Sequence, residues 1–544
     1  MRLKIRIIKK VSAAGAKRVR RTTKSAKLAT AAKGEVAPKP PARKRFRFPA
    51  IPLPRFLPQA VRNIILATIW ALFTLIMLWI PLSIVMDGPM FSTMKLLLYA
   101  AVLTLLCIGP RKTGQFLIKH QKYIHTLLIV AAFGGAVSCA IVLFGEYRAP
   151  AGDYGILFTR AVDMASSSEL SEPQQQYLSI FPYTFNYTGF LALFMKVFGV
   201  AYRSVILLNI WLYFIGAFLI YFLMDRIYDK KTAQTASLLW LGNPVNIVWC
   251  AVCSPIMLVN TLVVGCLAAT VFAFDYRNRL GKLLLFSTIL GVTAGVSSGI
   301  RPVMVVFPIA VLVCAIVFIC RQGANNTGKA IGTLLLGCLM MAGSFGAVAW
   351  LNIRVATEFA QRELAVSNPG WNLYLGANYS ADGQWNLPDE DTLQEKIDSG
   401  MSATEVHNFF KDAALERYRQ NSPTENLQLL LKKNLATSGN LAGYSYNASV
   451  AISRRTRPLL MAYLSAYWVF ILSCGIICAF GLRKKRYNPS FALLPVLFTI
   501  GCYLSFQATE ASPEYIMSLL TPLTIFAALG LSAIPGSRRI RHWV

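Results

Sequence analysis

The sequence predicts an all-α polytopic membrane protein with about twelve transmembrane helices. The chain has 544 residues, of which 55% are hydrophobic and only 15% charged, and its mean hydropathy is +0.50. A soluble domain of this size needs a larger polar share, because its exterior must face water. The apolar residues are also gathered into runs that approach the roughly 20 residues a helix needs to cross a bilayer.

The apolar runs are separated by loops whose charges indicate their side of the membrane. Each run is interpreted as one transmembrane helix. They lie at 62–86, 93–109, 123–144, 204–224, 232–250, 257–274, 281–299, 302–320, 330–352, 458–481, 491–507 and 514–534.

With a cytoplasmic N-terminus, the basic loops between these runs all face the cytoplasm, as the positive-inside rule requires. The same parity predicts that the apolar segment 186–200 is a half-helix or interfacial helix on the outer side. Counting it as a full span would place Lys230 and Lys231 on the wrong side.

The N-terminal segment, residues 1–60, is predicted to be a disordered, basic, cytoplasmic tail. Up to Arg47 it contains 17 Lys or Arg residues and one acid, Glu35. Such a composition buries too little apolar surface to offset the entropy of ordering. We expect the tail to contact anionic membrane lipids. Nucleic-acid binding is the weaker interpretation of its charge, and no nucleic-acid partner is predicted.

The remaining chain is divided by the predicted topology into four regions. Residues 61–352 form a transmembrane catalytic core that includes a first outside loop at 145–203. Residues 353–457 form an extracytoplasmic region that covers the site and contains a predicted helix at 402–420. Residues 458–535 supply the C-terminal transmembrane helices, and 536–544 form a basic cytoplasmic tail.

Three local patterns suggest cofactor sites and are judged insufficient. Cys250 and Cys253 form a CxxC pair, but no second pair accompanies it, and all eleven cysteines fall in or at the ends of apolar runs. "GANNTGKA", 323–330, resembles a phosphate loop, yet Ala330 replaces the hydroxyl residue that binds magnesium. "PDED", 388–391, could hold calcium but is more often a solvated loop. No metal and no cofactor are predicted.

The first outside loop resembles a known family. "GDYGILFTRA", 152–161, followed by "QQYLSIFPYTFNYTGFLALFMKVFG", 175–199, is similar to the first external loop of the GT-C glycosyltransferases. In that superfamily an acidic residue just beyond an early membrane helix is followed by a Tyr-Pro entry to an amphipathic helix. Phe181-Pro182-Tyr183 stands at that entry in this chain.

Three further segments resemble Gram-positive and actinobacterial GT-C members of the family 39 type, in the expected order. They are "SGIRPVMVVFPIA", 298–310; "NPGWNLYLGANYSADGQWNLPDED", 368–391; and "TEASPEYIMSLLTPLTIFAALG", 509–530. The chain departs from that pattern at Glu514, where the family has an arginine, and in having three spans rather than one before the first outside loop.

The resemblance implies transfer of a sugar from a polyprenyl-phosphate donor to an envelope glycan, lipid or protein on the outer face of a bacterial plasma membrane. The N- and C-termini are then cytoplasmic. An inverting transfer needs one base for the acceptor hydroxyl and cations for the departing phosphate, but no second carboxylate acting as an acid. The candidate catalytic carboxylates are Asp153 and Asp163. The candidate contacts to the donor phosphate are Arg301, Arg454, Arg455 and Arg457. The candidate contacts to the acceptor or its loop are Tyr183, Asn378, Glu510 and Tyr515.

Asp153 is the preferred general base, because it stands beside a glycine at the mouth of a helix. Asp163 orients an acceptor or caps a helix. A polymerase or ligase of lipid-linked glycans is the nearest alternative function. A secondary transporter is a less favoured one, because the chain shows no convincing internal repeat and its acids cluster at helix ends or in loops.

Overall fold

The computed structural model describes residues 59–86, 152–166, 169–321, 327–365, 369–438, 457–483 and 489–532. In this part of the chain 85% of residues are helical and no strand occurs. The predicted N-terminal tail up to residue 58, the predicted spans at 93–109 and 123–144, and the C-terminal tail all lie outside the described residues.

The helices divide into two groups along the chain. The first comprises α1 Gln59–Met86, α2 Gly152–Ala165, α3 Glu172–Ile180, α4 Phe185–Phe198, α5 Tyr202–Ile227, α6 Lys230–Leu241, α7 Pro244–Trp249, α8 Ile256–Asp275, α9 Leu280–Ser298, α10 Val306–Arg321 and α11 Thr327–Ala360. The second comprises α12 Gly370–Gly376, α13 Leu387–Asp398, α14 Ala403–Gln420, α15 Pro423–Ser438, α16 Arg457–Arg483, α17 Pro489–Ala508, α18 Pro513–Ile516 and α19 Leu520–Ser532.

Within the described residues, five helical stretches are long and apolar enough to cross a membrane: α5, α8, α9, residues 331–360 of α11, and the continuous stretch from Pro513 to Ser532. Shorter apolar segments occur in α1, α10, α16 and α17. The all-helical membrane class is therefore established, whereas the count of about twelve spans is not confirmed.

The apolar run predicted at 232–250 is not one helix, and this expectation is corrected. The chain breaks between α6 and α7, because Pro244 has no N–H to continue the hydrogen-bond ladder and Asn243 caps the next helix by accepting from Val245 N at 3.0 Å. Tyr213 and Asn246 donate to carbonyls at the end of α6. These bonds matter because no water is available inside a membrane.

Helix α4 agrees with the predicted short segment at 186–200. It has 14 residues and is therefore about 21 Å long, which is too short for a bilayer core of about 30 Å. Leu193 and Val197 are strongly exposed on it, as expected for a helix that lies against lipid. That α4 lies on the outer side of the membrane stays a prediction.

The membrane helices are packed closely at two glycines. A Cβ atom on Gly530 of α19 would lie 1.9 Å from the carbonyl oxygen of Cys474 in α16. A Cβ atom on Gly291 of α9 would lie 2.3 Å from the carbonyl oxygen of Met341 in α11. Small residues at these points allow the helix backbones to approach, as is usual between membrane helices.

Helices α12, α13 and α14 share a small core of their own, in which Trp371, Tyr374 and Phe410 are buried. The helix predicted at 402–420 is confirmed as α14. It begins after Ser402, whose side chain and that of Glu405 form a reciprocal capping box. Helix α11 continues to Ala360, so the region predicted to begin at 353 starts within a helix.

Candidate functional site

Asp153 lies in the first turn of α2, directly after Gly152, which adopts a φ of +58°. This left-handed conformation favours glycine and turns the chain into the helix. The carboxylate remains accessible, and Tyr177 of α3 donates a hydrogen bond to its Oδ1 at 3.2 Å. The surrounding protein desolvates the carboxylate and raises the pKa of Asp153, an effect that the Tyr177 bond partly offsets.

Tyr177 packs against Arg160, which is fully buried. The Arg160 guanidinium lies 5.3 Å from the centre of the tyrosine ring, donates to Thr184 Oγ1 at 2.6 Å and reaches the carbonyl oxygen of Gln174 at 3.4 Å. No ion pair to Arg160 is found in the described part of the chain. Burial lowers its pKa to about 10. The sequence interpretation singled out neither Tyr177 nor Arg160, although both stand inside the segments that carry the family resemblance.

The second half of the site comes from distant parts of the chain. Arg301 immediately precedes the short 3-10 turn before α10, and its Nη2 lies 3.5 Å from Glu514 Oε2 in α18. The Arg301 guanidinium is also 5.8 Å from the ring centre of Tyr515. Tyr515 in turn donates a hydrogen bond of 2.6 Å to Glu510 Oε2. Glu514, which replaces the family's arginine, therefore pairs with the predicted phosphate-binding arginine.

The surroundings of Asp153 and those of Arg301 belong to one cluster. Burial raises the pKa of Glu510, the Tyr515 hydrogen bond lowers it, and the charge of Asp153 raises it again. Burial likewise raises the pKa of Tyr183, with further contributions from the charges of Asp153 and Glu510 and an opposing one from Arg301. Such interactions require proximity. The structure thus brings together five of the residues predicted from sequence: Asp153, Tyr183, Arg301, Glu510 and Tyr515.

Two other predicted residues have their hydrogen-bond partners outside this cluster. Asp163 lies ten residues, or about 15 Å, further along α2, and it accepts a hydrogen bond from Gln174 Nε2 at 3.0 Å. Asn378 uses its amide in a turn, donating to Asp389 Oδ2 at 2.8 Å and accepting from Ser380 and from the N–H of Ala381.

Three predicted arginines cannot be placed. Arg454 and Arg455 lie outside the described residues, and so does the side chain of Arg457, although its backbone begins α16. Their contact with the donor phosphate stays a prediction.

Asp389 of the "PDED" segment is not solvated as expected. Burial alone would raise its pKa, but the bonds from Arg417, Asn378 and Asn386 outweigh that effect and lower it. Arg417 Nη2 lies 2.7 Å from Asp389 Oδ1. The carboxylate therefore joins α13 to α14 and has its oxygens engaged within the protein.

Lys433 of α15 is a buried cation that the sequence interpretation missed. Its Nζ donates to the carbonyl oxygens of Gly376, at 3.1 Å, and Gln507, at 2.6 Å. Burial lowers the pKa of Lys433 to about 8, while the charge of Glu510 acts in the opposite direction. The neighbouring Lys432 is paired near the surface with Asp382. Because the two lysines are adjacent in sequence, only the packing shows that Lys433 is the buried one and Lys432 the one near the surface.

The described residues contain no group of three or more His, Cys, Asp or Glu side chains arranged to hold a metal ion. Cys250 and Cys253 are both buried, and the Sγ atom of Cys253 lies 3.8 Å from the hydroxyl of Tyr187. Burial raises the pKa of the Cys253 thiol to about 12, the direction opposite to that of a reactive thiolate.

Residues 184–346 match the family model of the dolichyl-phosphate-mannose-protein mannosyltransferases. The resemblance to GT-C glycosyltransferases is thereby confirmed over this range, and it implies a membrane glycosyltransferase of the GT-C type. The matched range includes Arg301, whereas Asp153 and Glu510 lie on either side of it. No curated protein and no solved structure matches the chain.

Proposed function

We propose that the protein transfers a sugar from a polyprenyl-phosphate donor to an acceptor of the cell envelope, with inversion at the anomeric carbon. The observation that carries this proposal is that an accessible carboxylate, Asp153, and a guanidinium, Arg301, both lie close enough to Tyr183 for their charges to act on it. Residues 184–346 of the same chain match a family model of the GT-C type. This arrangement fits a lipid donor, because its tail remains in the bilayer while its phosphate reacts at the headgroup level.

The proposed reaction needs one proton transfer and one departing anion. Asp153 takes the proton of the acceptor hydroxyl, whose oxygen bonds to the anomeric carbon while the bond from that carbon to the phosphate oxygen breaks. The electron pair leaves with the polyprenyl phosphate. The surrounding protein raises the pKa of Asp153, which makes its carboxylate a stronger base than an exposed aspartate. Attack opposite to the leaving group gives inversion.

Arg301 is proposed to stabilise the departing phosphate, because a guanidinium pairs with phosphate oxygens through two parallel N–H donors. Arg454, Arg455 and Arg457 are proposed as further phosphate contacts, and Tyr183, Asn378, Glu510 and Tyr515 as contacts to the acceptor or its loop. Asp163 is proposed to orient the acceptor. No metal or cofactor enters this proposal.

The proposed location is a bacterial plasma membrane, with both termini cytoplasmic and the site on the outer face. In this orientation the four regions predicted from sequence keep their roles, including the cover over the site from residues 353–457. The basic tail is proposed to contact anionic lipids. The acids of the site stand at helix ends and in loops rather than at the middle of long membrane helices, which supports an enzyme over a transporter.

The test is Asp153→Asn, which keeps the shape of the side chain and removes its basicity. With a labelled polyprenyl-phosphate sugar and acceptor membranes, the transfer rate should fall by about 10² to 10⁴. Asp163→Asn on the same helix is the matched control, and it should lose less because Asp163 lies away from the cluster. A purified Asp153→Asn protein that is folded and almost as active as the wild type would exclude Asp153 as the base.

A further inference from the structure

Trp385 presents an exposed aromatic ring that is nevertheless fixed in position. The residue is 52% exposed, and its indole N–H donates to Glu390 Oε2 at 3.1 Å. A hydrogen bond at one edge of the ring sets its orientation and leaves the ring's faces available. Burying such a ring against a ligand therefore costs little additional ordering of the side chain.

The loop that carries Trp385 is anchored beside the site. Gly383, with a φ of +72°, accepts a hydrogen bond of 2.7 Å from the N–H of Ala511, the neighbour of Glu510. A Cβ atom on Gly383 would lie 2.6 Å from Cγ of Lys433, so a larger residue would displace the loop or the lysine. The charge of Glu390 also acts on Glu510. The ring and its carboxylate partner thus stand next to the proposed catalytic cluster.

The chemistry of this surface matches a sugar ring. A pyranose has an apolar C–H face that packs against an aromatic ring, and its hydroxyl groups donate to carboxylate oxygens. Glu390 supplies such an oxygen beside the indole. Sites for small ligands commonly combine an aromatic wall with a few polar groups in this way.

A lipid surface is the alternative occupant of an exposed tryptophan. The surroundings of Trp385 oppose it. Glu390 is hydrogen-bonded to the ring itself, and an ion pair of 2.8 Å between Asp382 and Lys432 lies in the same loop region. Charged groups are costly to place in hydrocarbon.

We infer that Trp385 and Glu390 bind a sugar ring of the acceptor and that the acceptor is a saccharide rather than a protein or a simple lipid. This inference rests on the proposed function and specifies the acceptor of that same site. The ring stacks on Trp385, its hydroxyl groups bond to Glu390, and a neighbouring hydroxyl is thereby presented to Asp153.

The experiment compares Trp385→Phe with Trp385→Leu in the full-length protein. Membranes from cells that lack the protein serve as the acceptor, and labelled polyprenyl-phosphate hexoses serve as donors. Stacking requires an aromatic face, so Trp385→Leu should raise the half-saturating amount of acceptor about 3- to 10-fold and leave the donor KM unchanged. Trp385→Phe keeps an aromatic face but loses the N–H bond to Glu390, so its half-saturating amount of acceptor should rise less than that of the Leu variant. Trp350→Leu is the matched control, because Trp350 is 61% exposed on α11 and should not affect the acceptor constant.

A chemical test addresses the acceptor independently. Mild periodate treatment of the acceptor membranes, followed by quenching, should abolish transfer because it cleaves vicinal diols, whereas protease treatment should not. Equal acceptor constants for the Leu and Phe variants and the wild type, or transfer that survives periodate and disappears after protease, would overturn the inference and leave the proposed function standing. If the wild-type protein itself transfers no sugar, the proposed function fails, and this inference falls with it.

Discussion

The hydroxyl of Tyr177 donates a hydrogen bond of 3.2 Å to Oδ1 of Asp153, joining α3 to the first turn of α2. The guanidinium of Arg160 lies over the ring of the same tyrosine, 5.3 Å from its centre. A donor to the ionised form of a carboxylate lowers its pKa and fixes its orientation. The arrangement therefore connects a buried arginine to the proposed base through one aromatic side chain, and it has measurable consequences.

Tyr177→Phe removes this donor and should raise the pKa of Asp153 further above its ordinary value. Because the base must be ionised, the acid limb of the pH–rate profile should move to higher pH. At a pH below the new limb, kcat should fall, while at higher pH it should approach the wild-type value. The measurement is kcat across the pH range for the two proteins.

The control for this prediction is a double-mutant cycle with Asp153→Asn. If Tyr177 acts through Asp153, then Tyr177→Phe should change the residual rate of the Asn variant little. An unchanged acid limb in the single Tyr177→Phe variant, or a fully additive loss in the double variant, would show that the hydrogen bond does not tune the base.

Arg301 and Glu514 form an ion pair of 3.5 Å whose partners should respond in opposite ways. Arg301→Gln removes the proposed phosphate contact and should weaken use of the donor by about 1.5–3 kcal/mol. Glu514→Gln removes the competing anion, so the donor KM should fall or stay the same. Donor kinetics at saturating acceptor separate the two variants. A matching rise in donor KM for both would indicate that the pair serves only to hold the helices together.

Lys433→Met should destabilise the protein, whereas Lys432→Met should not. The first change removes the Lys433 donor from the carbonyl oxygen of Gln507, and an unsatisfied buried group of this kind costs about 1–3 kcal/mol. The carbonyl oxygen of Gly376 loses one of two donors, because it also accepts from the hydroxyl of Tyr418 at 3.2 Å. The second removes an ion pair near the surface with Asp382, which is worth about 0–1 kcal/mol. Thermal unfolding in detergent provides the comparison, and equal melting temperatures for the two variants would contradict the structure.

The same lysine should produce a pH dependence of stability. Its pKa is about 8 in the folded protein and 10.5 for an unperturbed side chain. Between these two pKa values the unfolded chain binds more protons at Lys433 than the folded chain does. The contribution of Lys433 to the stability of the fold therefore increases as the pH rises. It is fully present above pH 10.5 and is lost as the pH falls toward about 8. The stability of the wild type relative to Lys433→Met should therefore rise through this window, and a fall would contradict the sign.

The topology predicts that Lys230 and Asp398 face opposite sides of the membrane. Both residues are exposed, at the start of α6 and the end of α13. In a background without native cysteines, Lys230→Cys should resist an impermeant thiol reagent in intact cells, and Asp398→Cys should react. Both should react after the membrane is permeabilised. Equal labelling in intact cells would refute the parity that makes α4 a half-helix.

Several elements follow from local sequence because their causes are local. The long apolar runs predict membrane helices, the short run before Tyr202 predicts α4, and Ser402 with Glu405 predicts the start of α14. The break between α6 and α7 also had a local signal, Asn243 followed by Pro244, which the continuous hydrophobicity of the run obscured.

The resemblance to a family indicated which residues belong to the site, but not which of them contact one another. It indicated Asp153, Arg301 and Glu510 from three separate segments, all of which the structure brings together. It could not show that Tyr177 bonds to Asp153 or that Glu514 pairs with Arg301. A sequence pattern identifies a residue type at a position, whereas a hydrogen bond also depends on the packing of two distant helices.

The sequence by itself determined the membrane class and the short helix α4, and it indicated Asp153 as the candidate base. Each of these depends on composition or on residues within a few positions of one another. Only the tertiary structure decided that Lys433 is buried beside Glu510 while Lys432 is paired near the surface, and that Trp385 is fixed next to the site. The physical reason is that burial and charge proximity arise from contacts between segments far apart in the chain, which local patterns do not encode.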